Sequence, residues 1–133
     1  MSTIENVQTM AQQRAQFALQ AIEEYRGLDK TRQSELQRFI TQIPALIHMN
    51  GLGQALAFYR TKGKDSSHEM IYQLLSRWLC RNTPGRVFDG TQTDLLKAIT
   101  SADMFQYMAA QNEAQALLEW LKKFATALLH KED

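Results

Sequence analysis

Few residues of this 133-residue chain carry side chains of the kind that drive catalysis, and their spacing argues against it. His48, His68 and His130 stand far apart, and no pair shares the i, i+4 spacing with which one helix face offers two imidazoles to zinc. Cys80 is the only cysteine, so neither an internal disulfide nor a thiolate metal cage is available. Arg77 and Arg81 would lower its pKa if they faced it, but a cysteine beside Trp78 and Leu79 reads as core. Glu23 and Glu24 are adjacent and diverge by about 100° on a helix, so they cannot form a facing carboxylate pair. Gly51-Leu52-Gly53 lacks the third glycine of a dinucleotide loop, and no Lys-Ser/Thr follows as in a phosphate-binding loop. His48, beside Asn50 in a bend, is the best candidate base for a small hydrolase, and a histidine bonding a helix end explains it more simply. These residues predict no enzyme, no metal, no cofactor and no small-molecule substrate.

The cations form a stronger pattern. The formal net charge is only +1, yet residues 31–86 carry eight basic and three acidic side chains, a local excess of +5. The flanking segments 1–30 and 87–133 stand at −1 and −3. Arg60, Lys62 and Lys64 cluster around Gly63, Arg77 and Arg81 lie one helical turn apart, and Arg86 follows in the next loop. Such groups converging from adjacent turns suit phosphates, with sequence-independent and salt-sensitive binding. Helix-end cations also answer the macrodipole, which accounts for the positions of Arg60, Lys62 and Arg81 but not for the number of cations. Aromatic interleaving is sparse: Tyr59 and Tyr72 are the candidates for base stacking, whereas Trp78 belongs to a core stripe. Arg14 falls close to the apolar stripe of its own helix, where a guanidinium needs a partner. Glu113 sits at a comparable place near the C-terminus, and an interhelix ion pair between the two is expected.

These side chains must be positioned by helices. Ile4, Val7, Ala11, Ala15, Ala18, Ile22 and Tyr25 step by three or four, with Ser2 and Glu5 as a capping box and Gly27 as a left-handed exit. Leu36, Phe39, Ile40 and Ile43 form a second stripe, expected to stop at Pro44, with a short further turn closing at Asn50-Gly51. Leu52 to Tyr59 reads as a third helix, stopped at Gly63. Ser66 and Glu69 form a capping box ahead of Ile71, Leu74, Leu75 and Trp78. Asn82 to Gly85 is a turn signal, and Asp89-Gly90 supports a loop there. Asp94 to Ile99 is a short helix, and Asp103 caps a long one with the seam Ala110, Ala114, Leu117, Leu121, Phe124 and Leu128. The expected fold is all-α: one domain over residues 1–133, a bundle of five to six helices with long first and last members.

Composition agrees with that fold. Hydrophobic residues make up 44% and charged residues 22%, which excludes wholesale disorder. A chain of this length hides roughly 68% of its extended surface on folding, enough for its own core. No apolar run approaches the ~18 residues of a membrane span, and the first ten residues lack a secretory apolar core. A cytoplasmic protein without membrane contact is expected.

The run from Ile43 to Tyr59, with Leu46-Ile47-His48-Met49-Asn50-Gly51-Leu52-Gly53-Gln54-Ala55 at its centre, resembles a known signature. So do Glu113 to Ala125 and, early in the chain, Arg14-Ala15. Together they resemble the small helical subunit of the Cmr complex, the type III-B CRISPR RNA-silencing effector. That resemblance implies a non-catalytic subunit that stacks in a few copies. It would pack against the backbone nuclease subunit and the large signalling subunit, and contact the backbone of target RNA paired to guide RNA. Within the signature, Asn50 and Gly51 tolerate positive φ, Gly51 and Gly53 admit close approach, and Leu46, Ile47, Leu52, Leu56 and Phe58 are expected to fill the core. His48, Asn50 and Gln54 carry free polar groups. The phosphate contacts expected are Arg60, Lys62, Lys64, Arg77, Arg81 and Arg86. The other reading is a helical protein-interaction adaptor whose basic middle docks on an acidic protein surface without touching nucleic acid.

Overall fold

A computed structural model describes residues 7–89 and 91–132. Among them are six helices and no strand: α1 (Met10–Tyr25), α2 (Lys30–Asn50), α3 (Leu52–Arg60), α4 (Ser67–Cys80), α5 (Leu95–Thr100) and α6 (Met104–Leu128). The expected Ser2–Glu5 cap and Ile4 lie outside the described residues. The first helix starts later than its stripe suggested, because Thr9 and Gln12 form the capping box instead. Val7 therefore precedes the helix and is 72% exposed. Gly27 does not take a left-handed conformation; the only positive-φ glycines among the described residues are Gly51 and Gly63. Asp29, Ser66 and Asp103 each accept a bond from the backbone N–H three residues on, which starts α2, α4 and α6.

Pro44 does not stop α2, which runs for 21 residues through it. A proline in a helix removes one intrahelical donor. Here Ile40, Ile43 and Ile47, all fully buried around that point, keep the helix on the core. The Pro44 carbonyl also accepts a hydrogen bond from Gln115 Nε2 of α6 at 3.0 Å. The second helix is thus longer than the first, which has 16 residues.

The terminal helices run side by side in the same direction. Arg14 near the start of α1 meets Glu113 in α6. At the other end, Gln33 Nε2 donates to the Arg26 carbonyl while its Oε1 accepts from His130 N. The other helices pack against this pair and one another around one apolar cluster that includes Ile22, Leu36, Leu75, Trp78, Leu117 and Leu121. Along α6 the buried positions drift from Ala110, Ala114, Leu117 and Leu121 to Ala125 and, just past the helix end, Leu129, so Phe124 and Leu128 are only half-buried. A straight helix of 3.6 residues per turn moves off a 3.5-residue seam in this way.

The loop after α4 is pinned rather than free. Val87 N and Phe88 N both donate to the Leu79 carbonyl, which folds the chain back on the end of α4. Gly85 lies against the Trp78 indole so closely that a Cβ there would come within 2.1 Å of the ring. No buried side-chain polar atom among the described residues lacks a partner.

Candidate functional site

The signature bend is a docking point for α6. Gly51 has φ 86° and ψ 159°, a conformation that side-chain-bearing residues rarely adopt, and it closes α2 while opening α3. The N–H groups at the start of α3, which have no partner within the helix, are met from α6: Gln111 Oε1 accepts from Leu52 N at 2.9 Å and Tyr107 Oη from Gly53 N at 3.0 Å. With Gln115 on Pro44, the i, i+4, i+8 ladder Tyr107–Gln111–Gln115 clamps the α2–α3 junction. Sequence reasoning missed this ladder, whose only sequence signal is its four-residue spacing. His48, Asn50 and Gln54 remain on the outside, all three exposed.

Arg14 and Glu113 meet across the terminal helices, Nε to Oε2 at 2.7 Å and Nη2 to Oε1 at 2.9 Å. Trp78 Nε1 adds a third donor to Glu113 Oε2 at 3.0 Å. The hydrogen bond to Glu113 raises the already high pKa of Arg14.

The six expected phosphate contacts divide. Arg60 is committed internally: its guanidinium donates to both Glu69 oxygens and to Asp94 Oδ1, each at 3.2 Å, and lies 4.3 Å from the Tyr72 ring centroid. Its charge is balanced by two carboxylates, which removes it from the set. Tyr59 and Tyr72 offer no stacking face either, since both are buried and use their hydroxyls internally, on the Phe39 carbonyl and Asp94. Burial raises the Tyr72 pKa, and the bond to Asp94 raises it further.

Lys62, Lys64, Arg77, Arg81 and Arg86 are exposed. Arg77 and Arg81 stand four apart at the end of α4, and the bonds of Val87 and Phe88 to Leu79 bring Arg86 back to the same end. Arg77 also lies over Phe17, 5.2 Å from its centroid. Lys64 lines a groove of about 270 Å³ with Arg77, Glu24 and Glu69. Lys62 belongs to a separate groove of about 440 Å³, with Arg32, Phe39 and His68.

That second groove holds a cluster absent from the sequence reading. His68 stacks on Phe39 at 3.7 Å between centroids, and the Arg38 guanidinium lies 4.9 Å from the same ring. Burial, with Lys62 and Arg38 nearby, lowers the His68 pKa below 6.5 despite an opposing influence from Glu35. Burial also raises the Cys80 thiol to about 11, which keeps it protonated and inert at neutral pH. Phe58, expected in the core, is 47% exposed, with Lys62 Nζ 4.6 Å from its centroid. Among the described residues no group of three or more His, Cys, Asp or Glu side chains is placed to hold a metal ion, and no helix is long and apolar enough to cross a membrane.

Comparison with known proteins converges on one family. The profile of the CRISPR-associated protein family Cas_Cmr5 matches residues 10–128, from the first residue of α1 to the last of α6. The chain is 30% identical over 97 residues to the CRISPR system Cmr subunit Cmr5 of Thermus thermophilus, covering 73% of this chain and 77% of that protein. It also superposes on the crystal structure of a CRISPR-associated Cmr5 family protein from Thermus thermophilus with a TM-score of 0.75 at 29% identity. That match covers 92% of this chain and 98% of the other.

Proposed function

The chain belongs to the Cas_Cmr5 family of CRISPR-associated proteins, and from that premise we propose that it is the small, non-catalytic subunit of a type III-B Cmr effector. As a single helical domain it stacks beside further copies of itself, the backbone nuclease subunit and the large signalling subunit, and it touches the backbone of guide or target RNA. The observation that supports the RNA contact is that Arg77, Arg81 and Arg86 are all exposed and stand at one end of α4. Lys62 and Lys64 extend the basic surface toward the other end. Contact with sister subunits is supported by Met104, Phe105 and Met108, which are 71%, 80% and 47% exposed on the first turns of α6. Each contact can be weak, because stacking of copies on one RNA raises effective concentration.

The test is RNA binding by the purified chain at two salt concentrations. Replacing Arg77, Arg81 and Arg86 together by alanine is expected to weaken binding alike for unrelated sequences. It should also flatten the salt dependence by about 0.7 per lost contact on single strands. Unchanged affinity and slope would leave the adaptor reading, in which the basic middle docks on an acidic protein surface and RNA is not touched.

A further inference from the structure

Asn50, Gln54, Phe58 and Lys62 recur at every fourth position across the α2–α3 bend, and all four are exposed. The first three line a groove of about 240 Å³ with Leu46. Lys62 Nζ lies 4.6 Å from the Phe58 centroid, and Arg38 stands on the neighbouring Phe39. We propose that this stripe binds one nucleotide of single-stranded RNA, with the base stacked on Phe58, its edge met by the Asn50 and Gln54 amides, and its phosphate held by Lys62. The inference rests on the RNA reading above and names a second mode of contact for it, through a base instead of the backbone.

The chemistry of the groove favours a nucleotide over an apolar peptide. Primary amides donate and accept, as base edges do, whereas an apolar partner would cover both amides without bonding them. An exposed aromatic ring offers a face to any base. Among the described residues, no carboxylate lines the groove itself. Glu35 and Asp65 line the other groove together with Lys62, and Glu35 already accepts a bond from Ser67 Oγ. Lys62 sits on a flexible stem, so its ammonium can shift from the ring to a phosphate oxygen.

Binding of labelled oligoadenylate and of an abasic oligomer of the same length, measured by anisotropy with the full chain, separates base from backbone contact. Oligoadenylate is expected to bind the wild-type chain more tightly than the abasic oligomer. Phe58→Ala should weaken oligoadenylate about tenfold with the salt slope retained, leave the abasic oligomer unchanged, and melt as the wild type does. Phe58→Tyr should restore binding, whereas Lys62→Ala should weaken both oligomers and lower the slope. Equal binding of the two oligomers by wild type, or an oligoadenylate affinity indifferent to Phe58→Ala, would overturn the stripe while leaving backbone binding standing. If neither oligomer binds, the RNA reading fails and the stripe with it. Altered sedimentation of Phe58→Ala with RNA binding unchanged would assign the stripe to a protein contact and also overturn it.

Discussion

Glu113 receives three donors from two helices, and this makes it sensitive to the loss of any one. Its side chain is 12% exposed and that of Arg14 23%, so the pair is screened less than a surface salt bridge. Arg14→Met leaves a carboxylate facing only the Trp78 N–H, and the expected cost is about 2–3 kcal/mol, or a fall of roughly 10 °C in Tm. Adding Glu113→Gln removes the stranded charge and keeps an acceptor for Trp78. The double variant should therefore melt above Arg14→Met alone. His68 provides a pH signature. Its pKa is lowered in the folded chain, mainly by burial and then by Lys62, so below 6.5 the unfolded chain takes up the proton more readily. Stability from this residue is present above that pH and is lost as pH falls from 6.5 toward the lower folded value. Melting from pH 8 to pH 5 should show His68→Phe gaining on wild type as the pH drops. A constant difference would refute the assignment.

At the scale of elements, the α2–α3 junction is decided from α6. Gly51→Ala would place a Cβ 3.0 Å from Tyr107 Oη on a backbone with φ 86°. Strain and crowding together should cost about 1–3 kcal/mol in denaturant unfolding. Tyr107→Phe should cost about 1 kcal/mol by leaving the Gly53 N–H unpaired. The two changes touch the same contact, so their effects should fall short of adding. The expected break at Pro44 failed for a related reason. Local rules count the lost donor, whereas three buried isoleucines and the Gln115 bond from α6 hold the helix together. The same helix supplies Tyr107 and Gln111, residues more than fifty positions from their partners. Their role is not legible from local sequence because a tyrosine or glutamine on a helix surface has no local reason to face a particular neighbour.

At the scale of the molecule, the charge gradient is partly spent inside the fold. Arg60 from the basic middle joins Glu69 of α4 to Asp94, the residue before α5. Asp94 in turn accepts from Tyr72, while Ser76 Oγ and Tyr72 Oη accept from the first N–H groups of α5. Arg60 is thus a joint between three helices. In the RNA titration, Arg60→Met is expected to leave affinity and salt slope unchanged while lowering stability by about 1–2 kcal/mol. A slope reduced as much as by loss of Arg81 would return it to the interface. The basic surface left to RNA is small for a chain of net charge +1, so binding by the isolated chain should be weak and should fade as salt rises.

Sequence alone determined the helical class, most helix starts and the family, because caps, apolar periodicity and the Ile43–Tyr59 run are all local. It also brought out Arg14 and Glu113 as a pair, since each is a charge beside an apolar stripe and needs a partner. Which cations remain available was decided only by the tertiary structure. Arg60 and Arg81 are alike as helix-end arginines, and the first is neutralised by carboxylates 9 and 34 residues away. Phe58 shows the same limit. A phenylalanine in an amphipathic helix reads as core, and only the packed arrangement of α2, α3 and α4 leaves it facing solvent beside Lys62, since burial is settled by what other helices cover.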